Sequence, residues 1–277
     1  MSDGADGNIE NLMGMARTAE LAGNSAEAMS YFNRVLEIDP RWPEAWLGKG
    51  KAAGWQSSLA VMRFSEMVVA FNHAIGAAAD DRREAIAGEA AEQINRLVTT
   101  LYGMAHNHML EFAAVDNVWA TYLNQVSQML DALEASLQWT PDNRTTLENI
   151  IHLCKDNVEG VTYRDRIHNN APGWHGITPE YEQSLLSRRD SAIARLQAIN
   201  PEYLPSSIEK KKAEACFVVT ATMGDYDHPK VRLMRRFRDE WLDQKPIGRW
   251  IIVLYYRVGP LAASFISKNP LLKKHSI

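Results

Sequence analysis

Residues 9–40 read "IENLMGMARTAELAGNSAEAMSYFNRVLEIDP", and their apolar spacing decides the fold of this chain. Apolar residues recur there at three- and four-residue intervals in two runs, which is the period of one face of an α-helix. The first face consists of Leu12, Met15, Ala16 and Ala19, and the second of Ala28, Phe32 and Val35. Between them "AGNSAE" supplies Ser25 as an N-cap, and Pro40 ends the second helix. The segment therefore predicts a helical hairpin.

The same register returns 34 residues later in "PEAWLGKGKAAGW" (residues 43–55). Trp46 takes the large position of this second unit and Gly50 the small position. The helix that follows, "MVVAFNHAI" (residues 67–75), places Met67, Phe71 and Ala74 at matching mutual spacing. It starts about five residues late, so we expect either a longer connection around "WQSSLA" or a longer first helix.

Both units resemble tetratricopeptide repeats over roughly residues 9–78. With Ile9 as the first position, the small residues Ala16 and Ala28, the aromatic Phe32 and the terminal Pro40 fall where the consensus of that family has them. Small residues let the two helices approach closely, and the aromatic ring fills the gap between turns. The resemblance implies stacked antiparallel helical hairpins with a concave surface that suits an extended peptide or a partner helix.

The rest of the chain is also predicted to be mainly helical, so the expected fold class is all-α. Residues 81–137 contain no proline and only two glycines, Gly88 and Gly103, which favours two long antiparallel helices or one bent helix. A further helix carries Cys154 on its apolar side with Ile150 and Leu153, and "HNNAPGWHGITPE" (168–180) predicts a loop. The expected parts are a disordered N-terminus (1–8), repeat hairpins (9–78), a long-helix extension (79–199), a linker (200–215) and a small, mostly helical C-terminal module (216–277).

Composition and charge are those of an ordinary globular protein of 277 residues, with 46% apolar residues and a formal net charge of −4. The charge is uneven, because the stretch from Pro205 onward has 14 Lys and Arg against 7 Asp and Glu, about +7, which leaves about −11 for the remainder. Two distant cysteines, no secretory-type leader and no run of about 18 apolar residues indicate a cytoplasmic protein.

Four short motifs near the C-terminus resemble the CFI-box module found at the ends of many bacterial proteins. They are "CFVVTATMG", "HPKVRLMRRFRDEWL", "GRWIIVLYYRVGP" and "NPLLKK", and the match runs from Cys216 to about Lys274. Met223 and Gly259 depart from the usual sequence of this module, which has an aromatic residue and a serine, respectively, at these positions. The resemblance implies a bacterial origin and a module appended to varied partners, and it implies no particular activity.

Cys216 is the candidate for nucleophilic chemistry. A reactive cysteine needs a group that depresses its pKa, and His228 follows within the same motif, with Asp225 and Asp227 adjacent. This pattern permits a cysteine-dependent enzyme with His228 as base. Cys216 before "FVVTAT" equally fits a small buried apolar residue, which is the interpretation that we prefer.

The sequence indicates no metal site and no cofactor. His106 and His108 lie in a helical run at positions i and i+2, which point to different sides of a helix. His168 and His175 flank a proline–glycine loop without two further ligands nearby.

A non-catalytic interaction scaffold or adaptor is the leading functional prediction. It would bind a protein or peptide, and the residues assigned to partner binding are Trp46, Arg232, Arg235 and Arg236. The helix 229–243 has an apolar stripe (Val231, Met234, Phe237, Trp241) opposite those arginines, but it lacks a helix-turn-helix partner and interleaved stacking aromatics, which disfavours nucleic acid. An anionic membrane surface is the third hypothesis, because basic residues lie beside the aromatic run 250–256. The competing expectation is that this run is covered by the 229–243 helix.

Overall fold

A computed structural model describes residues 3–165, 171–211 and 229–242, together with 244–245, 247–248, 250–252, 254–255 and 258. The chain divides into two compact units. The first, called here the helical body, comprises Met1–Val161 and His175–Lys210, and the second unit comprises Thr162–Trp174 and Lys211–Ile277.

Helices make up most of the described chain, and each of the first seven packs against the helix that follows it. The predicted all-α fold of packed antiparallel helical pairs is therefore confirmed. The helices are α1 (Asp3–Leu21), α2 (Ser25–Ile38), α3 (Pro43–Gly54), α4 (Phe64–Ala77), α5 (Asp80–Glu111), α6 (Val118–Ser136), α7 (Arg144–Glu159), α8 (Pro179–Ile199) and α9 (Pro229–Phe237), which continues as a π-helical segment, Arg238–Leu242. Two strands, β1 (Val161–Asp165) and β2 (Ala171–His175), form a two-stranded sheet.

The first hairpin forms as the apolar spacing predicts, with differences at its ends. Helix α1 begins at Asp3, inside the stretch that we expected to be disordered. The N-cap of α2 is Asn24 rather than Ser25, because the Asn24 side chain accepts a hydrogen bond from the Glu27 amide. Met15 is exposed, since it lies at the edge of the stripe, and Met13 takes its place in the core.

Two glycines of α3 allow close approach of neighbouring helices, Gly48 towards α2 of the first hairpin and Gly50 towards α4 of its own hairpin. An added Cβ at Gly48 would meet the Phe32 ring at 2.1 Å, and one at Gly50 would meet the Phe71 ring at 2.5 Å. Both rings are buried, so each glycine leaves the space that one phenylalanine occupies.

The connection between α3 and α4 spans residues 55–63, and its length confirms the predicted late start of the fourth helix. Hydrogen bonds of Gln56 hold this connection in place. Gln56 Nε2 donates to the Ala52 carbonyl at 2.9 Å and to the Ser25 carbonyl at 3.4 Å. Gln56 Oε1 accepts from Arg63 at 2.8 Å. The loop of the second hairpin is thereby tied to the start of α2.

The apolar core of the helical body has two parts. The smaller cluster belongs mainly to α1 and α2, and the larger one extends from α3 to α8. Trp46 packs against both clusters. Within the larger one, Ile150, Leu153 and Cys154 are all buried, as predicted for the apolar side of α7.

A hydrogen-bonded group of polar side chains lies within the larger cluster, between α5 and α7. Asn95 donates to Thr146 Oγ1 at 2.8 Å and accepts from Asn149 at 2.7 Å, which joins α5 to α7. A buried network of this kind favours one register between two helices, because any other register leaves polar groups unsatisfied.

Two expectations about connections differ from the structure. Residues 171–175, inside the predicted loop 168–180, form β2, where Gly173 lies against the Tyr163 ring of β1. Residues 200–210, assigned to the linker, belong to the helical body instead. Tyr203 and Ile208 pack on its core, and Arg189 donates to the Ser206 carbonyl at 2.8 Å.

We expect Gly48→Ala to destabilise the helical body by about 1–3 kcal/mol, because the buried Phe32 ring must shift to admit the methyl group. Gly14→Ala is the matched control, since nothing lies within 4 Å of its added Cβ. In a helix interior this replacement should stabilise by about 0.5–1 kcal/mol. Urea unfolding followed by circular dichroism measures both changes, and equal effects of the two substitutions would contradict the close approach of Phe32.

Candidate functional site

The first helices of three successive hairpins, α1, α3 and α5, lie side by side in the helical body. Charged residues project from one side of each helix. Glu44 and Lys51 are seven residues apart in α3, as are Arg82 and Glu89 in α5, and a spacing of about two turns places both members on the same side of a helix. We call the surface formed by Glu20, Glu44, Lys51, Arg82 and Glu89 the charged face.

Lys51 is the centre of the charged face. Its Nζ lies 3.2 Å from Glu89 Oε1 and 3.9 Å from Glu20 Oε1, so one ammonium group connects α1, α3 and α5. The Lys51 side chain is 25% exposed and that of Glu20 is 26% exposed. Arg82 pairs with Glu44 and makes a second link between α3 and α5.

Partial burial raises the pKa of Glu20, and Lys51 opposes this shift by favouring the carboxylate. Ion pairs near a protein surface contribute only about 0–1 kcal/mol each. Charged groups of a partner could therefore replace these pairs at small cost. The charged face is thus suited to exchanging its internal ion pairs for intermolecular ones.

Trp46 lies away from the charged face. It is two residues from Glu44, about 200° around the helix at 100° per residue. Its Nε1 donates to the Pro40 carbonyl at 2.8 Å, and its ring stacks on His73 of α4 with centroids 4.4 Å apart. Lys49 Nζ lies 5.0 Å from the centroid of the same ring. These contacts make Trp46 a packing residue between hairpins.

A second constellation of polar and aromatic side chains joins α5, α6 and α7. The Tyr102 hydroxyl donates to Asp156 Oδ2 at 3.0 Å, and His152 Nε2 lies 3.3 Å from the same oxygen. Tyr122 packs against Tyr102, and burial raises the pKa of Tyr122 to about 12. Both phenols are buried, so we interpret the group as a packing network rather than a catalytic centre.

Sequence reasoning missed this constellation. The i,i+4 spacing of His152 and Asp156 was the available signal, and the link to Tyr102 crosses 54 residues. Of the pair considered at 106–108, His106 lies beside Tyr102 and Tyr122, whereas His108 is exposed against Phe112.

Next to this network, the His175 ring is stacked on Trp119, with centroids 5.1 Å apart and an interplanar angle of 11°. Its Nε2 lies 2.6 Å from the Ala113 carbonyl oxygen and donates to it when the proton is on that nitrogen. Trp119 Nε1 donates to the Gly176 carbonyl at 3.0 Å. These contacts fix the start of the segment that leads into α8.

The residues of the enzyme hypothesis, Cys216, His228, Asp225 and Asp227, lie outside the described residues. Arg232 and Arg235 lie in α9, and their side chains are outside the described part as well. Arg236 is exposed on α9.

Within the described ranges no group of three or more His, Cys, Asp or Glu side chains is arranged to hold a metal ion. Two depressions of the helical body have volumes of about 200 and 160 Å³. The first is lined by residues that include Leu123 and Tyr181, and the second by residues that include Glu134 and Arg188. Both are smaller than the roughly 300–1,000 Å³ that is typical of small-molecule pockets.

Neither a scan against protein-family models nor a search of curated proteins finds a match to this chain. The resemblances to tetratricopeptide repeats and to the CFI-box module therefore rest on the residues quoted above.

We expect the stability of the helical body to depend on the protonation of His175. Burial lowers the pKa of His175 below its usual 6.5, while the hydrogen bond to Ala113 opposes the shift. The unfolded chain then binds the proton more readily, so this stabilisation is complete above about pH 6.5 and is lost as the pH falls through the lower folded-state pKa. His175→Phe keeps an aromatic ring beside Trp119 and removes the titration.

Urea unfolding of both proteins between pH 8 and pH 5 measures this effect. The free-energy difference between wild type and His175→Phe should change only below about pH 6.5. A difference that stays constant over the whole range would contradict the assignment.

Cys154 should be inert in the folded protein. It is fully buried, and burial raises the pKa of its thiol to about 12, so almost no thiolate is present near neutral pH. Iodoacetamide labelling followed by peptide mass spectrometry should therefore modify Cys154 only after denaturation. Fast labelling of the folded chain would come from Cys216, and labelling of a Cys216→Ser variant distinguishes the two thiols. Labelling of folded Cys154 at the rate of an ordinary thiol of pKa about 8.5 would refute its burial.

Proposed function

We propose that this chain is a non-catalytic protein-interaction scaffold of a bacterial cytoplasm, which binds a protein segment across the charged face. The observation that supports the proposal best is the position of Lys51, whose ammonium group connects three neighbouring helices. A segment laid across these helices would meet charges of both signs in a defined order. The likeness to tetratricopeptide repeats supports the same proposal.

The chemistry of the partner follows from the balance of charge. The charged face has three carboxylates and two cations, and the chain before Pro205 has a formal excess of about eleven negative charges. Such a field speeds the encounter with basic partners and slows that with acidic ones. The proposed ligand is therefore an extended or helical segment rich in Lys and Arg, with a carboxylate near Lys51.

Selection of random peptides against the full chain should enrich basic sequences. The affinity of an enriched peptide, measured by fluorescence anisotropy, should fall at least about tenfold in Glu89→Lys, which corresponds to about 1.4 kcal/mol. Glu89 is partly exposed, so this variant should remain folded, which circular dichroism checks.

Glu37→Lys is the matched control, because it makes the same change of charge at an exposed position of α2. It should bind the peptide like the wild type. Equal losses in both variants would show nonspecific attraction to net charge, and enrichment of no peptide, or of acidic peptides, would also contradict the proposal.

A further inference from the structure

The second unit presents apolar side chains to solvent along α9 and the segment that follows it. Leu233 is 65% exposed and Trp241 is 51% exposed, and Met234 and Phe237 are exposed between them. Val231 alone of the predicted stripe is buried. The stripe is therefore present, but most of it is uncovered.

The same arrangement continues between residues 247 and 258, where the described positions are helical. Trp250 is 66% exposed, and the other exposed apolar side chains are Ile247, Ile251, Leu254 and Val258. Their three- and four-residue spacing places them on one side of a helix. The expectation that the run 250–256 is covered is thus wrong for Trp250, Ile251 and Leu254, because α9 exposes its own apolar stripe rather than burying theirs.

Aromatic rings and cations occur together in this part of the chain. Phe237 and Trp241 are stacked with centroids 5.1 Å apart, and Lys245 Nζ lies 3.5 Å from the centroid of the Trp241 ring. Residues 229–258 contain eight Lys and Arg against three Asp and Glu. An apolar stripe with tryptophan, flanked by excess positive charge, is the composition of a helix that lies in the interface of an anionic bilayer.

Large exposed apolar patches are rare on proteins that have no partner for them. Two kinds of partner could cover this one, a lipid surface or another protein. The excess of cations over carboxylates favours the lipid surface, because anionic headgroups supply negative charge at every contact without a matching shape. Among the described helices none is both long and apolar enough to cross a bilayer, which leaves attachment in the plane of the membrane as the geometry to test.

We propose that the second unit attaches the protein to anionic lipid surfaces. The apolar row of α9 and of 247–258 enters the boundary between headgroups and acyl chains, with Trp241 and Trp250 at headgroup level and Lys245 near the phosphates. This attachment is independent of the peptide binding proposed for the charged face, and it would place that binding at a membrane.

Flotation of the full chain with vesicles tests the proposal. Vesicles of neutral phosphatidylcholine are compared with vesicles that contain one part phosphatidylglycerol to two parts phosphatidylcholine, each at low and at physiological salt. We expect flotation with the anionic vesicles at both salt concentrations. The partition coefficient calculated from the bound fraction should be at least tenfold lower in Leu233→Glu and in Ile251→Glu than in the wild type. Both side chains are exposed, so these replacements should leave the fold intact.

Val69→Glu is the control, because Val69 is an exposed apolar residue of α4 in the helical body. It adds the same charge and should float like the wild type. Flotation at low salt alone would show charge attraction without insertion and would overturn the proposal, as would absence of flotation or unchanged flotation of the two variants. Oligomers that form without vesicles and are lost in Leu233→Glu would assign the apolar row to a second copy of the chain instead.

Discussion

The close approach of helices through small residues is the constraint on which the rest of the helical body depends. Phe32 occupies the space that Gly48 leaves, and Phe71 occupies the space beside Gly50. The first contact joins α2 to α3 of the next hairpin, and the second joins α4 to α3 within the same hairpin. The resulting spacing brings α1, α3 and α5 near enough for the single side chain of Lys51 to reach carboxylates on both neighbours. A larger residue at either glycine would separate the helices, and the ion pairs of the charged face would lengthen with them.

The sequence predicted the helical body correctly wherever apolar residues recur at helical spacing and small residues occupy the positions of helix contact. Both hairpins and the late start of α4 follow from that rule. Strand β2 did not, because "APGWH" has little strand propensity and is extended through its pairing with β1. Residues 200–210 have the composition of a linker, and only tertiary contacts through Tyr203 and Ile208 place them on the core. Sequence reasoning missed the charged face for a similar reason. Lys51 and Glu89 are 38 residues apart, and each taken alone has the pattern of a charged residue on the solvent side of a helix.

Polar groups play two different parts in this molecule, according to their burial. Asn95, Thr146 and Asn149 are satisfied inside the core, where loss of one partner leaves another without a hydrogen bond. That network specifies how α5 and α7 fit together. The pairs of the charged face retain access to water, so they contribute little to stability and remain free to exchange partners. Buried polarity thus sets the register between helices, and the half-exposed charge is what the proposed recognition of a partner would use.

The two-part core has a consequence for local opening. The small cluster consists of α1 and α2 together with Ala45 and Ala52 of α3, and opening of the first hairpin would break these contacts with α3 while the larger cluster of α3 to α8 could keep its packing. Amide hydrogens of α1 and α2 are then the first of the helical body to exchange with solvent by this route. A segment bound across α1 and α3, as proposed above, would hold the hairpin closed and slow exchange along α2, which that segment would not touch. Slower amide exchange in α2 would then be the sign that the charged face is occupied.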